Sequence, residues 1–239
     1  MQKHNGPVVD KIEEIVGEVP GWSPLDQLFA LFNLAYLSSG SEGDILEIGS
    51  WCGRSAAVLG LAARLTGKSK VFCIDLFPER DDWKQNADGS YSIDMMIDGK
   101  RYRACHIQTC WKEPFDRDIA PLYAVHGGVL EIFRETMERN ALADIVTPLR
   151  GDSTLLHSKL KDRKFKLAFL DGDHSYEAVC ADIKNVNAAL LPGGWLCFDD
   201  AFTMYEGIDR AITELVINSS GYDRCQQLTR KFFVARKVG

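Results

Sequence analysis

What this 239-residue chain lacks narrows its function before any motif is considered. Its seven cysteines, at 52, 73, 105, 110, 180, 197 and 225, form no C-x-x-C pair. Neither a zinc ribbon nor a thioredoxin-type redox site is therefore signalled. Their odd number and scatter fit a reducing compartment, with Cys73, Cys180 and Cys197 inside apolar runs as small core residues. No apolar run approaches the length of about 20 residues that spans a bilayer. The opening residues 1–7 carry no stretch of the signal-peptide kind, so a soluble cytoplasmic protein without a membrane partner is expected. Lys and Arg number 28 against 34 Asp and Glu, a net charge of −6. A broad basic face for gripping a phosphate backbone is thus missing, and no nucleic-acid partner is expected. There is no G-x-G-x-x-G, the spacing that brings a pyrophosphate against a helix N-terminus, which speaks against a nicotinamide-dependent oxidoreductase.

What is present is an alternation of short apolar strands and helices. Ser23-Pro24 before Leu25, Leu28, Phe29 and Phe32 predicts a helix capped by Ser23, with Gly40 at its far end. Strands are predicted at 44–49, 71–75, 145–149, 166–171 and 195–200, with helices at 55–65, 127–142, about 176–191 and 208–217. Pro192-Gly193-Gly194 is expected to stop the third of these helices. Two closing strands, near 225–229 and 232–235, are expected to pair as a hairpin. Continuous rather than alternating apolar strands mean a parallel sheet covered on both faces. The fold class is α/β, a single domain over 1–239 with an N-terminal helical segment (1–43) and an insertion at about 78–126. That insertion has no βαβ rhythm, and its Asp98-Gly99 signals a hairpin turn.

Glu47, Asp75, Asp171, Asp199 and Asp200 all fall at or near the carboxyl ends of predicted strands, where open α/β sheets bind ligands. The first loop is Glu47-x-Gly49-x-x-x-Gly53. Glu47-Ile48-Gly49-Ser50-Trp51-Cys52-Gly53-Arg54-Ser55 resembles the first motif of class I S-adenosylmethionine-dependent methyltransferases. The resemblance implies a Rossmann-like, mostly parallel seven-stranded sheet whose last strand is antiparallel. It also implies S-adenosylmethionine held by Glu47, Gly49, Ser50, Gly53, Ser55 and Asp171, with Asp75 on the ribose. Glycines would let the donor's amino-acid tail approach, and the acid would complement its positive charge. Asp152, with neighbouring Ser153, takes the place of the family residue that accepts from the adenine amino group; a turn acid capping the next helix fits equally.

Asp171-Gly172-Asp173-His174-Ser175-Tyr176-Glu177 with Asp199-Asp200 is similar to the metal-dependent O-methyltransferases that act on sugars of macrolide and aminocoumarin antibiotics. More distantly, it resembles the catechol and caffeoyl-coenzyme A enzymes. That resemblance implies a divalent cation, Mg²⁺, on Asp171, Asp199 and Asp200, with Asp173 or His174 as the base. Many relatives with the Asp-Gly-Asp-His-Ser-Tyr-Glu stretch carry His-Asp after the fifth strand and have no established metal; the Asp-Asp pair here favours one. Hard carboxylate oxygens suit Mg²⁺, and a hydroxyl bound to the cation loses its proton more readily.

The insertion carries Trp83, Tyr91, Met95, Met96, Tyr102, Trp111 and Phe115, which suit either a lid excluding water or an interface in a homo-oligomer. Lys161, Arg163, Lys164 and Lys166 are expected in a solvated loop. The expected reaction is methyl transfer to a hydroxyl of a small-molecule acceptor. The alternatives are a metal-independent or N-directed methyltransferase and a non-catalytic donor-binding protein.

Overall fold

Helices α1 (Val8–Glu18) and α2 (Leu25–Leu37) lead into strand β1 (Asp44–Ile48), helix α3 (Arg54–Thr66) and strand β2 (Val71–Asp75). The insertion adds strands β3 (Trp83–Gln85), β4 (Tyr91–Ile97) and β5 (Lys100–Ala104). A single turn, α4 (Lys112–Pro114), then widens through π geometry over Phe115–Ile119 into α5 (Ala120–His126). The alternating pattern resumes with α6 (Val129–Arg139), β6 (Val146–Arg150), β7 (Phe165–Leu170), α7 (Tyr176–Ala189), β8 (Leu190–Phe198) and α8 (Glu206–Ile212). The chain closes on β9 (Tyr222–Gln227) and β10 (Phe233–Lys237). These elements come from a computed structural model that describes residues 7–105 and 110–239. Residues 1–6, on which the expectation about a signal peptide partly rests, and residues 106–109 of the insertion lie outside the described residues.

Seven strands form one sheet in the order β6-β2-β1-β7-β8-β10-β9, parallel except for β10, which runs antiparallel to both β8 and β9. This is the expected Rossmann-like sheet. From β1 the chain builds outward through β2 to β6, then returns to place β7 on the other side of β1. The crevice where strand order reverses therefore opens at the carboxyl ends of β1 and β7, the usual ligand position in such sheets. One face is covered by α2, α3 and α6, through Leu28, Leu31, Leu59 and Phe133; the other by α7 and α8, through Ile183, Val186 and Ile212. Helix α3 lies unusually close because it is built from small residues. A Cβ on Gly60 would stand 2.7 Å from Val146 Cγ2. Among the described residues no helix is long and apolar enough to cross a membrane, and all seven cysteines are free.

Three expectations need correction. Helix α2 begins one residue late: Pro24, in extended backbone, takes the cap position, and Ser23 is buried with its carbonyl accepting from Arg54. Pro192-Gly193-Gly194 is not a loop between elements but part of β8. Phe165 pairs with Leu190 and Leu167 with Trp195, so these residues bulge out of register, and α7 stops at Ala189. Gly193 turns at φ +76, and a Cβ on Gly194 would meet the Leu191 carbonyl at 2.8 Å. Finally, Lys166 is no loop residue: it sits inside β7 and is buried, although Lys161, Arg163 and Lys164 are exposed as expected.

The insertion is a three-stranded antiparallel sheet in the order β3-β4-β5, turning at Asp98-Gly99 with positive φ at both, as a tight hairpin requires. The helices that follow, α4 and α5, were not foreseen. They close a small core of Trp83, Ile93, Met95, Phe115 and Ile119, in which the Tyr91 and Phe115 rings stack at 3.8 Å.

Candidate active site at the switch point

Where β1 ends it is stitched to both of its neighbours, β7 and β2. Asp171 N donates to Ile48 O at 2.7 Å, and Gly49 N to Ile74 O at 2.8 Å. A Cβ on Gly49 (φ +86) would stand 2.0 Å from the Asp171 carbonyl oxygen, so only glycine fits. Gly53 (φ +88) caps α3, and its missing side chain leaves room for Phe133 and Met137, each 2.9 Å from where a Cβ would lie. Both glycines are thus demanded by the protein's own packing.

Glu47 lies inside β1, fully buried, and neither carboxylate oxygen has a hydrogen-bond partner among the described residues. Burial pushes its carboxyl up to about 7, against the opposing influence of nearby Ser50, Ser55 and Cys73. The Ser50 hydroxyl is also buried without a partner. An orphaned acid and an orphaned hydroxyl behind a glycine loop fit a ligand that brings a cation and hydrogen-bond donors, as the amino-acid tail of S-adenosylmethionine does. Asp75 is fully engaged by the loop: Oδ2 accepts from Ser50 N (2.8 Å) and Trp51 N (2.9 Å), Oδ1 from Phe77 N (2.6 Å). Burial raises its pKa, and these three bonds hold the rise back. At the end of β2 it therefore shapes the loop itself, with Trp51 held at φ +47 between Trp22 and Trp83.

Asp152 does what a turn acid does. Its Oδ1 accepts from Thr154 N at 3.1 Å and from the Thr154 hydroxyl, and Oδ2 pairs with Lys100 of the insertion at 2.7 Å. Ser153 is buried and accepts from Asn185 Nδ2 at 2.9 Å. Beside it on α7 stands Asp182, whose carboxyl burial lifts to about 7. Asp182 was missed in the sequence, although its signal was legible. It occupies the helix face of Val179 and Val186, both buried, where an acid is out of place.

Across the crevice the acids gather. One ligand atom each from Asp171, His174 and Asp200 lies within 4.8 Å of the others. This is not quite the predicted trio, since His174 joins and Asp199 does not. Asp199 is buried and lies against Asp171, but its Oδ1 accepts from Asp200 N at 2.7 Å and its Oδ2 from Lys231 Nζ at 3.1 Å. The same ammonium donates to Asp200 Oδ1 at 3.1 Å. Burial, and then the charge of Asp199, raise the Asp171 pKa well above the carboxylate range. The His174 ring packs at a 50° tilt against Tyr205, centroids 4.1 Å apart, with Nε2 3.5 Å from Asp200 Oδ2 and a buried Nδ1 that has no partner among the described residues. Burial lowers its pKa despite the surrounding acids. Asp173, the other candidate base, accepts from Ser175 N (2.9 Å) and from Cys105 N of the insertion (3.2 Å). Ser175, not His174 or Tyr176, caps α7.

Lys231 was also missed, and for a clear reason. Its place opposite Asp200 follows from the pairing of Phe233 with Phe198, a register that is set only when the sheet forms. The donor set fits one divalent cation. Asp171 and Asp200 offer hard oxygens, His174 an imidazole nitrogen, and Asp171, Asp199 and Asp200 are offset by one lysine, Lys231. Asp171, His174 and Asp200 would hold it, with Asp199 behind them.

A Rossmann-like sheet with an acid-backed glycine loop, a crevice at β1/β7 and an acid cluster beside it defines a class I S-adenosylmethionine-dependent methyltransferase. Residues 46–201 match the model of the methyltransferase domain family, and the chain belongs to that family. Its fold is similar to that of the O-methyltransferase NovP (15% identity, 97% of each chain covered, TM-score 0.62). It is also similar to an O-methyltransferase from Bacillus cereus solved in complex with SAH (15%, 100% of this chain and 93% of that one, 0.57). A third similar structure is CalS11, a TDP-rhamnose 3'-O-methyltransferase of calicheamicin biosynthesis (14%, 98% and 96%, 0.58).

Proposed function

We propose that this methyltransferase methylates a hydroxyl of a small polar acceptor, a sugar or catechol-like molecule with neighbouring oxygens, assisted by Mg²⁺. The observation that carries this reading is the position of Asp171, Asp173, His174 and Asp200 in the same crevice as the donor loop. Asp171 touches that loop directly, through its carbonyl against Gly49. The acid cluster is where a polar acceptor and the methyl donor can meet. The O-methyltransferase neighbours, one of them acting on a nucleotide sugar, support an oxygen acceptor.

Glu47, Ser50 and Ser55 hold the donor's charged tail, Asp75 holds the loop and the ribose, and Asp152 and Ser153 face the adenine. The cation, when bound, polarises the acceptor hydroxyl and fixes its line of attack. The acceptor oxygen forms its bond to the methyl carbon as the carbon–sulfur bond breaks, and the electron pair leaves on the sulfur. The hydroxyl proton passes to Asp173, whose oxygens are held by two backbone N–H groups and which stays accessible from the crevice. Positioning supplies most of the acceleration, because a thioether leaves without an acid. The insertion acts as the cover: Lys100 and Cys105 N reach Asp152 and Asp173, and Trp83 packs on Trp51. We place the enzyme in the cytoplasm, with a small-molecule acceptor and neither nucleic-acid nor membrane partners.

The test is methyl transfer from labelled S-adenosylmethionine to a panel of glycosides, nucleotide sugars and catechols, before and after exhaustive chelation. Transfer that is lost with EDTA and restored by Mg²⁺ supports the reading. Asp173→Asn should cut kcat by about 10²–10⁴ with SAH affinity unchanged. Activity that survives chelation would remove the cation, and methylation of amines alone would remove the oxygen acceptor.

A further inference from the structure

Lys231 stands in the acid cluster in a way that no part of the methyl-transfer chemistry requires. Its backbone is fastened there: its carbonyl accepts from Ala201 N at 2.9 Å, immediately after the acid pair. The turn behind it is closed by Leu228 N to Phe232 O at 2.8 Å and by Gln227 Nε2 to the Arg230 carbonyl at 2.9 Å. The next residue, Phe232, is fully buried against Phe169. Only 18% of the Lys231 side chain is exposed, so this is not a surface lysine that happens to swing past. Its ammonium sits equidistant, at 3.1 Å, from one oxygen of Asp199 and one of Asp200.

We infer that Lys231 is a tethered counter-cation that occupies the acid pair in the metal-free protein and weakens divalent-ion binding there, so that the ion must displace it from Asp199 and Asp200. This rests on the divalent-cation reading of the cluster. Without a positive charge, closely placed acids shielded from water would repel one another, and the ammonium removes that cost. A divalent ion coordinated by Asp171 and Asp200 would lie a few ångströms from the same ammonium. Two cations at that spacing repel strongly even at an effective dielectric of about 20. One of them has to leave. The lysine stem is long enough to swing out while its backbone stays in place, and while it stays in it offsets part of the cluster's negative charge.

The test measures Mn²⁺ binding, by calorimetry and by the loss of free-ion electron paramagnetic resonance, to wild type, Lys231→Met and Lys231→Arg in the presence of SAH. Methionine keeps the stem and removes the charge; arginine keeps the charge. The expected result is Mn²⁺ binding about tenfold or more tighter in Lys231→Met, with Lys231→Arg close to wild type. Binding by Lys231→Met alone, with none to wild type, also upholds the inference while removing the cation from the working enzyme. Equal or weaker binding to Lys231→Met, with wild type binding normally, overturns the inference and leaves the cation reading intact. No binding to any of the three overturns both. Should Lys231→Met fail to fold, the lysine Nζ resonances of ¹⁵N-labelled wild type decide. The Lys231 signal must shift and begin fast exchange with water as Mg²⁺ is added, and a signal unmoved at saturating Mg²⁺ sinks the proposal.

Discussion

On one side of the crevice, the run from Glu47 to Arg54 and the nearby Asp75 build a pocket almost from a single stretch of chain. On the other, Asp171, Asp173 and His174 after β7, Asp199 and Asp200 after β8, and Lys231 before β10 are brought together only by the sheet. The contrast extends to their electrostatics. The donor side buries an acid, Glu47, with small polar neighbours and no hydrogen-bond partner on either carboxylate oxygen among the described residues. The acid cluster carries its own cation. A contiguous loop can be preorganised for one constant ligand, whereas an assembled cluster depends on the register of three strands.

The largest effect should come from a point where the two sides touch. Gly49→Ala sets a Cβ 2.0 Å from the Asp171 carbonyl at a φ that disfavours side chains. Strain and steric conflict together should cost about 3 kcal/mol or more. Chemical denaturation should show the loss, and SAH affinity and Mn²⁺ affinity should fall together. A stable Gly49→Ala protein that loses only one of the two would mean that the sides are built independently even here.

Glu47 sharpens the contrast through pH. Its carboxyl is held near 7 in the folded chain against an unperturbed 4.5, so the folded state binds the proton more tightly between those values. The contribution of Glu47 to stability is therefore greatest below about 4.5 and is lost as pH rises towards 7, by roughly 3 kcal/mol. Asp182 titrates in the same window, so the difference between wild type and Glu47→Gln is the informative quantity. Glu47→Gln should flatten the decline and leave the ligand-free protein more stable at pH 8. It should also bind SAH more weakly there, because the ammonium loses its partner. Wild-type affinity for SAH should tighten from pH 6 to 8 while that of Glu47→Gln stays level. If both variants respond alike, Glu47 does not face the donor's charge.

The same contrast governs what could be read from the sequence. The loop, its glycines, Asp75 and the order of helices and strands were legible because each is a local pattern: an apolar run, a turn residue, an acid at a strand end. Asp171, Asp173, Asp199 and Asp200 were legible as residues. Their arrangement was not, because the approach of His174 to Asp171 and Asp200, and of Lys231 to Asp199 and Asp200, is set by how β7, β8 and β10 lie side by side. Register misled in the same way at Pro192-Gly193-Gly194, where three turn-forming residues sit in a bulge that neighbouring β7 holds in the sheet. The insertion showed its hairpin, which is local. Its helices were hidden, because they are stabilised by Trp83, Ile93 and Met95 from other segments rather than by a periodic face of their own.

Asp152 is where the two sides disagree least visibly and where a small measurement decides most. It stands at the end of β6, where a donor-binding residue would, yet it is engaged by Lys100 of the insertion. That pair is half exposed, so it contributes no more than about 1 kcal/mol, and Lys100→Ala should change SAH affinity by less than about fivefold. The direction carries the meaning. If Asp152 reads the adenine amino group, Lys100 competes with it, and removing the lysine tightens SAH binding. The tightening should vanish with S-inosylhomocysteine, which has an oxygen in place of that amino group. If the lysine instead holds the cover shut over a bound donor, Lys100→Ala weakens both ligands equally, and Asp152 is then only the cap of the turn it already makes with Thr154.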